Sequence, residues 1–220
     1  MKMLSFLKNL GLLFLYWLGF QIAVSLLQFP LLAPTIATLP ELSATASFIL
    51  VSLGTLAAVA LTWLMWRKIH QGGLIEIEET PLTKSLWIPF VIYLVFIVVQ
   101  MIFPTVSPNQ ENVQKMMTSW LGLSFFATVI VAPILEELFF RGLLAKLFFS
   151  KLSGHSSLVY LLTSGFLFSM AHTSATLYQF LIYLMMGVIF GLFYLTKKDI
   201  RYAIAMHAIN NLLAFLLLLL

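Results

Sequence analysis

The 220-residue chain contains no cysteine, has little charge and carries no H-E-x-x-H motif. Without cysteine there is no disulfide, no thiolate nucleophile and no sulfur-ligated metal, and the redox compartment is left undetermined. Charged residues make up 9% of the chain while 61% are hydrophobic, against about 25% charged in a typical soluble domain. So few polar side chains cannot cover a water-exposed surface, which excludes a soluble globule. Twelve Lys plus Arg against eight Asp plus Glu leave a formal net charge of +4. The basic residues are scattered between apolar runs and form no patch, which sets nucleic-acid binding aside.

What is present is a series of apolar runs, several near the roughly 20 residues that span a bilayer. Seven candidate helices follow: Leu10–Leu27, Ser47–Trp66, Leu86–Phe103, Trp120–Phe149, Leu158–Ala171, Thr176–Leu195 and Tyr202–Leu220. The fold class is all-α, a polytopic transmembrane helix bundle of about seven spans, with six to eight as the range, in one integral membrane domain over residues 1–220. The first run is long for a signal peptide and has no small-x-small cleavage site beside its end, so it reads as an uncleaved span. A cytoplasmic N-terminus puts Lys2, Lys8, Arg67, Lys68, Lys84, Lys146, Lys151, Lys197, Lys198 and Arg201 inside, leaving Lys115 outside. The stretches Phe29–Ala46, Arg67–Ser85 and Pro104–Ser119 read as the longest loops, too short for a further domain, and no internal repeat is visible. Glu41, Glu111 and the Glu76, Glu78, Glu79 cluster read as solvated, and His70 and His155 as interfacial loop residues.

The exceptions are few: Glu136, Glu137, Arg141, His172 and His207 lie within apolar sequence, with Asn211 as a polar companion. Three charges in one span oppose insertion by roughly 8–10 kcal/mol before any pairing. Glu137 and Arg141 are spaced i,i+4 and can neutralise each other. Glu136 lies about 100° round the helix, an unpaired carboxylate in a poorly solvated place that suits a general base. Pro133 lacks an N–H, frees the Val129 carbonyl and permits a kink with a local polar pocket. Phe168 and His172 share a face one turn apart. His207 and Asn211 do likewise and can address a single oxygen, while Asn210 points about 100° away. Gly187 and Gly191 form a G-x-x-x-G that reads as close helix packing.

In order along successive apolar segments, E-E-x-x-x-R (Glu136, Glu137, Arg141), F-x-x-x-H (Phe168, His172) and H-x-x-x-N (His207, Asn211) resemble the CAAX-protease and bacteriocin-processing family, often called CPBP or Abi. The resemblance covers about residues 120–220 as a catalytic core; the first three spans add only a compatible topology. It implies an intramembrane endopeptidase acting on a membrane-associated peptide or protein. Glu136 would be the catalytic carboxylate, His172 would orient and activate water, and His207 with Asn211 would form the oxyanion hole. Glu137, Arg141 and Phe168 would support the site. Bacteriocin processing or self-immunity is the implied setting. The lipid bilayer is the implied partner, no nucleic acid is expected, and nothing in the sequence fixes an oligomeric state. No cofactor is required; a divalent metal such as zinc is the alternative, with Glu136, His172 and His207 as its ligand set. The runner-up readings are a non-catalytic immunity or scaffold protein and, behind it, a proton-coupled carrier. Compact loops and absent cysteine point to a bacterial plasma-membrane protein, for which a leader peptide or another membrane-anchored peptide is a better substrate than a prenylated CAAX protein.

One tension follows from straight spans. His172 falls toward the outer end of its helix and His207 about five residues inside the inner end, a depth difference of roughly 10–15 Å. The two meet only if the fifth helix begins above the membrane near Ser153 and the His172–Thr176 turn is buried around a water-filled cavity. That cavity is expected to open toward the cytoplasm, because His207 is close to Arg201.

Overall fold

The computed structural model describes residues 3–36, 38 and 42–220. Lys2, Pro40 and Glu41, assigned above to the inner flank and the first loop, lie outside the described residues. The chain is an all-α polytopic bundle. Its helices are α1 (Met3–Leu32), α2 (Ala44–His70), α3 (Trp87–Ile102), α4 (Pro108–Ser119), α5 (Leu121–Phe148), α6 (Gly154–Ala171), α7 (Leu177–Lys197) and α8 (Ile200–Leu217). A two-residue parallel pair, β1 (Glu76–Ile77) and β2 (Lys151–Leu152), joins the α2–α3 connection to the α5–α6 connection.

Five of these helices, α1, α2, α5, α7 and α8, are long and apolar enough to cross a membrane. The sequence reading of about seven spans counts two more. Helix α3 is apolar but has only 16 residues, and α6 dilutes its apolar content with His155, Ser156, Ser157, Thr163, Ser164 and Ser169. At 30 residues, α1 is about 45 Å long, well beyond the roughly 30 Å hydrocarbon core. Its polar first turns therefore belong to the helix, and the start at Leu10 is corrected to Met3.

Pro104–Ser119 is not a loop. Ser107 accepts the Gln110 amide (3.3 Å), the Gln110 side chain accepts the Ser107 amide (2.9 Å), and Pro108 occupies the first helical position. This capping box and N1 proline start an amphipathic helix whose polarity hides it from a search for apolar runs. Polar caps set other boundaries too. Ser43 accepts from Ala46 N, Thr176 from Gln179 N and Asp199 from Arg201 N. Hydrogen bonds from Arg201 hold the Asp199 carboxyl below its ordinary value. His70 ends α2 and His155 lies in the first turn of α6, so both belong to helix ends. The acidic cluster is partly spent: Glu76 (2.9 Å) and Glu78 pair with Lys151 across the β1–β2 contact.

Lipid tails are as apolar as leucine, so helices in a bilayer associate chiefly by close packing. Here glycine supplies it. A Cβ on Gly187 would sit 2.7 Å from the Gly165 Cα, and one on Gly191 2.8 Å from a Leu161 methyl, so the G-x-x-x-G stripe of α7 lies against α6. Helix α5 runs through the middle of the bundle. Arg141, Tyr160, Phe168 and Phe190, from α5, α6 and α7, are among its largest fully buried side chains.

Candidate active site

Helix α5 carries two stretches of wider π-type winding, Phe126–Val131 and Leu138–Leu143, on either side of the Ala132–Glu137 turn. In the first, Ala132 N–H bonds back to the Ala127 carbonyl, five residues away. Continuing that winding would pair Thr128 O with the amide of residue 133, which is proline and has none. The Thr128 carbonyl instead accepts Asn211 Nδ2 from α8 at 2.9 Å. The carbonyl expected to be freed by Pro133, that of Val129, is corrected to Thr128, because the wider winding shifts the lost pairing by one residue. The second stretch leaves the Phe140 carbonyl to accept Ser164 Oγ of α6 at 2.9 Å. Local winding of α5 sets where α6 and α8 attach.

Glu137 and Arg141 are both fully buried, with Glu137 Oε2 3.0 Å from Arg141 Nε. Arg141 Nη2 donates to the Gly187 carbonyl at 2.8 Å, a backbone oxygen on the close-packed face of α7. The guanidinium also lies 4.7 Å from the Phe168 ring centroid and 5.8 Å from that of Phe190. The i,i+4 expectation holds, and the structure adds a contact 70 positions away: His207 Nδ1 is 2.8 Å from Glu137 Oε1. Glu137 therefore joins α5 to α8, with one oxygen toward Arg141 and the other toward His207.

The hydrogen-bond partners fix the histidine tautomers. A carboxylate and a carbonyl only accept, so His207 Nδ1 donates to Glu137 and His172 Nδ1 donates to Phe168 O (2.8 Å). Both rings then turn Nε2 toward Glu136, whose Oε2 is 3.7 Å from His172 Nε2 and 3.9 Å from His207 Nε2. These separations are too long for direct hydrogen bonds and suit a bridging water. Glu136 Oε2 is buried and makes no hydrogen bond among the described residues. It has the unspent carboxylate that its helix position implied.

Aromatic rings hold the imidazoles. His172 stacks on Tyr183 (centroids 4.5 Å, planes at 22°) and His207 on Phe190 (4.6 Å, 17°), while Phe168 touches both. Tyr183 and Phe190 are seven positions apart on α7, about 10 Å of rise. Both imidazoles nonetheless bring Nε2 to the same Glu136 oxygen, at 3.7 and 3.9 Å. Helix α6 does begin beside Ser153, which caps it, and His172 terminates it with extended backbone. Sequence reading missed Tyr183 and Phe190. Their signal was the i, i+4, i+7 spacing of Tyr183, Gly187 and Phe190 on one face of α7.

Glu136, His172, His207, Asn210 and Asn211 line one cavity of about 620 Å³. Asn210, expected to point elsewhere, is at the wall beside Asn211, its Nδ2 3.4 Å from Asn211 Oδ1. From Glu136 the cavity runs to Phe103, Pro104, Met116 and the C-terminal residues Leu217 and Leu218. Lys146, Lys151, Lys197 and Arg201 belong to the opposite helix ends. The opening expected beside Arg201 is corrected accordingly: His207 is near that end in sequence, but it points Nε2 into a cavity that leads away from it. Among the described residues, no group of three or more His, Asp or Glu forms a cluster able to hold a metal ion.

Residues 118–213 match a family model described as type II CAAX prenyl endopeptidase Rce1-like. Every motif residue from Glu136 to Asn211 is inside that match. A curated relative, "Membrane-embedded CAAX protease MroQ" of Staphylococcus aureus (strain USA300), is 29% identical over 110 residues, which is 48% of this chain and 43% of that protein. The match thus spans less than half the length of the relative. No solved structure matches.

Proposed function

We propose that this chain, for which the ordered motifs and both similarities support membership of the CPBP family, is an intramembrane endopeptidase that hydrolyses a peptide bond with water activated by Glu136. The observation that carries the reading is the convergence of Glu136 Oε2 and two Nδ1-protonated histidines on one cavity, at 3.7 and 3.9 Å.

A water in that gap donates one hydrogen to Glu136 Oε2 and the other to His172 Nε2, leaving a lone pair for the scissile carbonyl carbon. As the carbon–oxygen bond forms, Glu136 takes the proton. The developing oxyanion is met by Asn211 Nδ2, which keeps a second hydrogen beyond the one given to Thr128 O, and by His207 Nε2. To donate there, His207 must carry protons on both nitrogens, the one on Nδ1 being accepted by the Glu137 carboxylate at 2.8 Å. When the carbon–nitrogen bond breaks, the proton on Glu136 passes to the leaving amine. No step is routed through a metal.

The supply of Lys and Arg at one end of the bundle supports a cytoplasmic N-terminus. On that orientation the cavity leads to the non-cytoplasmic side. The chain has no cysteine, so a single Asn112→Cys is a clean probe: a membrane-impermeant maleimide labels it in intact cells, and labelling only after lysis reverses the orientation. The family resemblance suggests a bacteriocin leader or another membrane-anchored peptide as substrate, in a bacterial plasma membrane. Full-length protein reconstituted in liposomes with such peptides should cleave them, and Glu136→Ala should not. Full activity in that variant sinks the proposal. Protection of cells from a bacteriocin by Glu136→Ala as well as by wild type favours the immunity reading.

A further inference from the structure

The cavity beyond Glu136 has a lining of unusual chemistry. Among the described residues that form it there is no lysine, arginine or aspartate, and Glu136 is the sole carboxylate. Its polar surface is instead largely amide, joined by the hydroxyls of Thr105, Ser107, Thr128 and Tyr183 and by the two imidazoles. Asn210 and Asn211 lie beside the reacting groups, and Gln28 of α1, Gln100 of α3 and Asn112 of α4 stand farther out. The side chains of these last three make no hydrogen bond within the described residues. Three elements distant in sequence therefore bring unspent donors and acceptors to one cavity. The apolar part of the lining comes from Leu213, Ala214, Phe215 and Leu217 of α8 with Met101 and Phe103.

Resting on the endopeptidase reading, we infer that the site takes an extended, uncharged peptide segment and cuts it at an internal bond. Primary amides both donate and accept without charge, so Gln28, Gln100 and Asn112 can pair with the N–H and C=O groups of an extended backbone whatever its side chains. Its side chains meet the apolar lining residues, among them Leu213, Phe215 and Met101, where apolar ones fit. A Lys, Asp or Glu near the scissile bond is left without a counter-charge in a poorly solvated cavity, a costly arrangement. The same holds for a free C-terminal carboxylate: among the described residues no Lys or Arg lines the cavity to receive one, so trimming of a short C-terminal peptide is disfavoured. The cavity volume is within the roughly 300–1,000 Å³ range of ligand pockets, which admits a short stretch of chain and no folded domain.

The test uses full-length protein in liposomes and N-acylated peptides built from Ala, Leu, Gln and Ser, with cleavage positions mapped by mass spectrometry. Cleavage is expected at internal bonds, at rates that change less than about twofold when the C-terminal carboxylate is amidated. One Lys or Asp placed within two residues of the mapped bond should lower kcat/KM by about tenfold or more. Gln100→Lys should then shift preference toward the Asp-bearing peptide relative to the uncharged one. Cleavage confined to the last few residues and lost on amidation overturns the inference, as does equal cleavage of charged and uncharged peptides. If those results depend on Glu136, the endopeptidase reading survives and only the substrate class falls. Absence of any Glu136-dependent cleavage removes both.

Discussion

The α1–α2 and α6–α7 pairs both close on glycine: Gly54 packs where a Cβ would lie 2.7 Å from the Leu27 backbone nitrogen, and Gly187 packs at the same distance from Gly165 Cα. Their surroundings differ. Of the apolar stretch that could span the membrane, 17% is buried in α1 and 61% in α7. The first pair presents Phe14, Leu15, Val59 and Trp63 outward and has no Asp, Glu, Lys, Arg or His in its middle. The second faces α5 and encloses Glu137, Arg141 and two histidines. A lipid-facing pair needs packing alone, whereas a pair around charges must supply their partners, because nothing in hydrocarbon will.

The largest expected effect comes from breaking the buried pairing. Arg141→Met removes the partner of Glu137 and should cost about 3–5 kcal/mol by leaving a buried charge uncompensated. Thermal unfolding in detergent checks it, with loss of folded protein as the readout. Next is the proposed oxyanion pair: Asn211→Ala should lower kcat about 10²–10³-fold, with a modest fall in unfolding temperature because the Thr128 carbonyl loses its donor. A steric contrast sharpens the comparison further. Gly187→Leu, which forces side-chain volume between α6 and α7, should destabilise by about 1–3 kcal/mol. Gly11→Leu on α1, where a Cβ meets nothing within 4 Å, should be neutral or slightly stabilising, since glycine is a poor helix former. Equal losses at both glycines would erase the distinction between the pairs.

Sequence alone was enough for the features that depend on neighbours within one helix. The Glu137–Arg141 pair, the leftover Glu136, the pocket near Pro133 and the packing role of Gly187 follow from i,i+3 and i,i+4 geometry. The all-α membrane fold follows from composition. What was not legible depends on contacts across the bundle or on polar helix signals. Nothing local reveals that Glu137 also holds His207, or that Tyr183 and Phe190 stack on the two imidazoles. Apolar runs are blind to an amphipathic segment such as α4, although Ser107, Pro108 and Gln110 spell its start. The direction of the cavity was misread because closeness of His207 to Arg201 along the chain says nothing of where Nε2 points.

The central claim is that adjacent glutamates have separate work, Glu136 on water and Glu137 on the framework. Measuring peptide hydrolysis and thermal unfolding side by side for Glu136→Gln and Glu137→Gln tests it most directly. The account predicts that Glu136→Gln unfolds like wild type and loses about 10²–10⁴ in kcat, while Glu137→Gln loses stability together with activity. A folded Glu136→Gln protein that cleaves at the wild-type rate would contradict it.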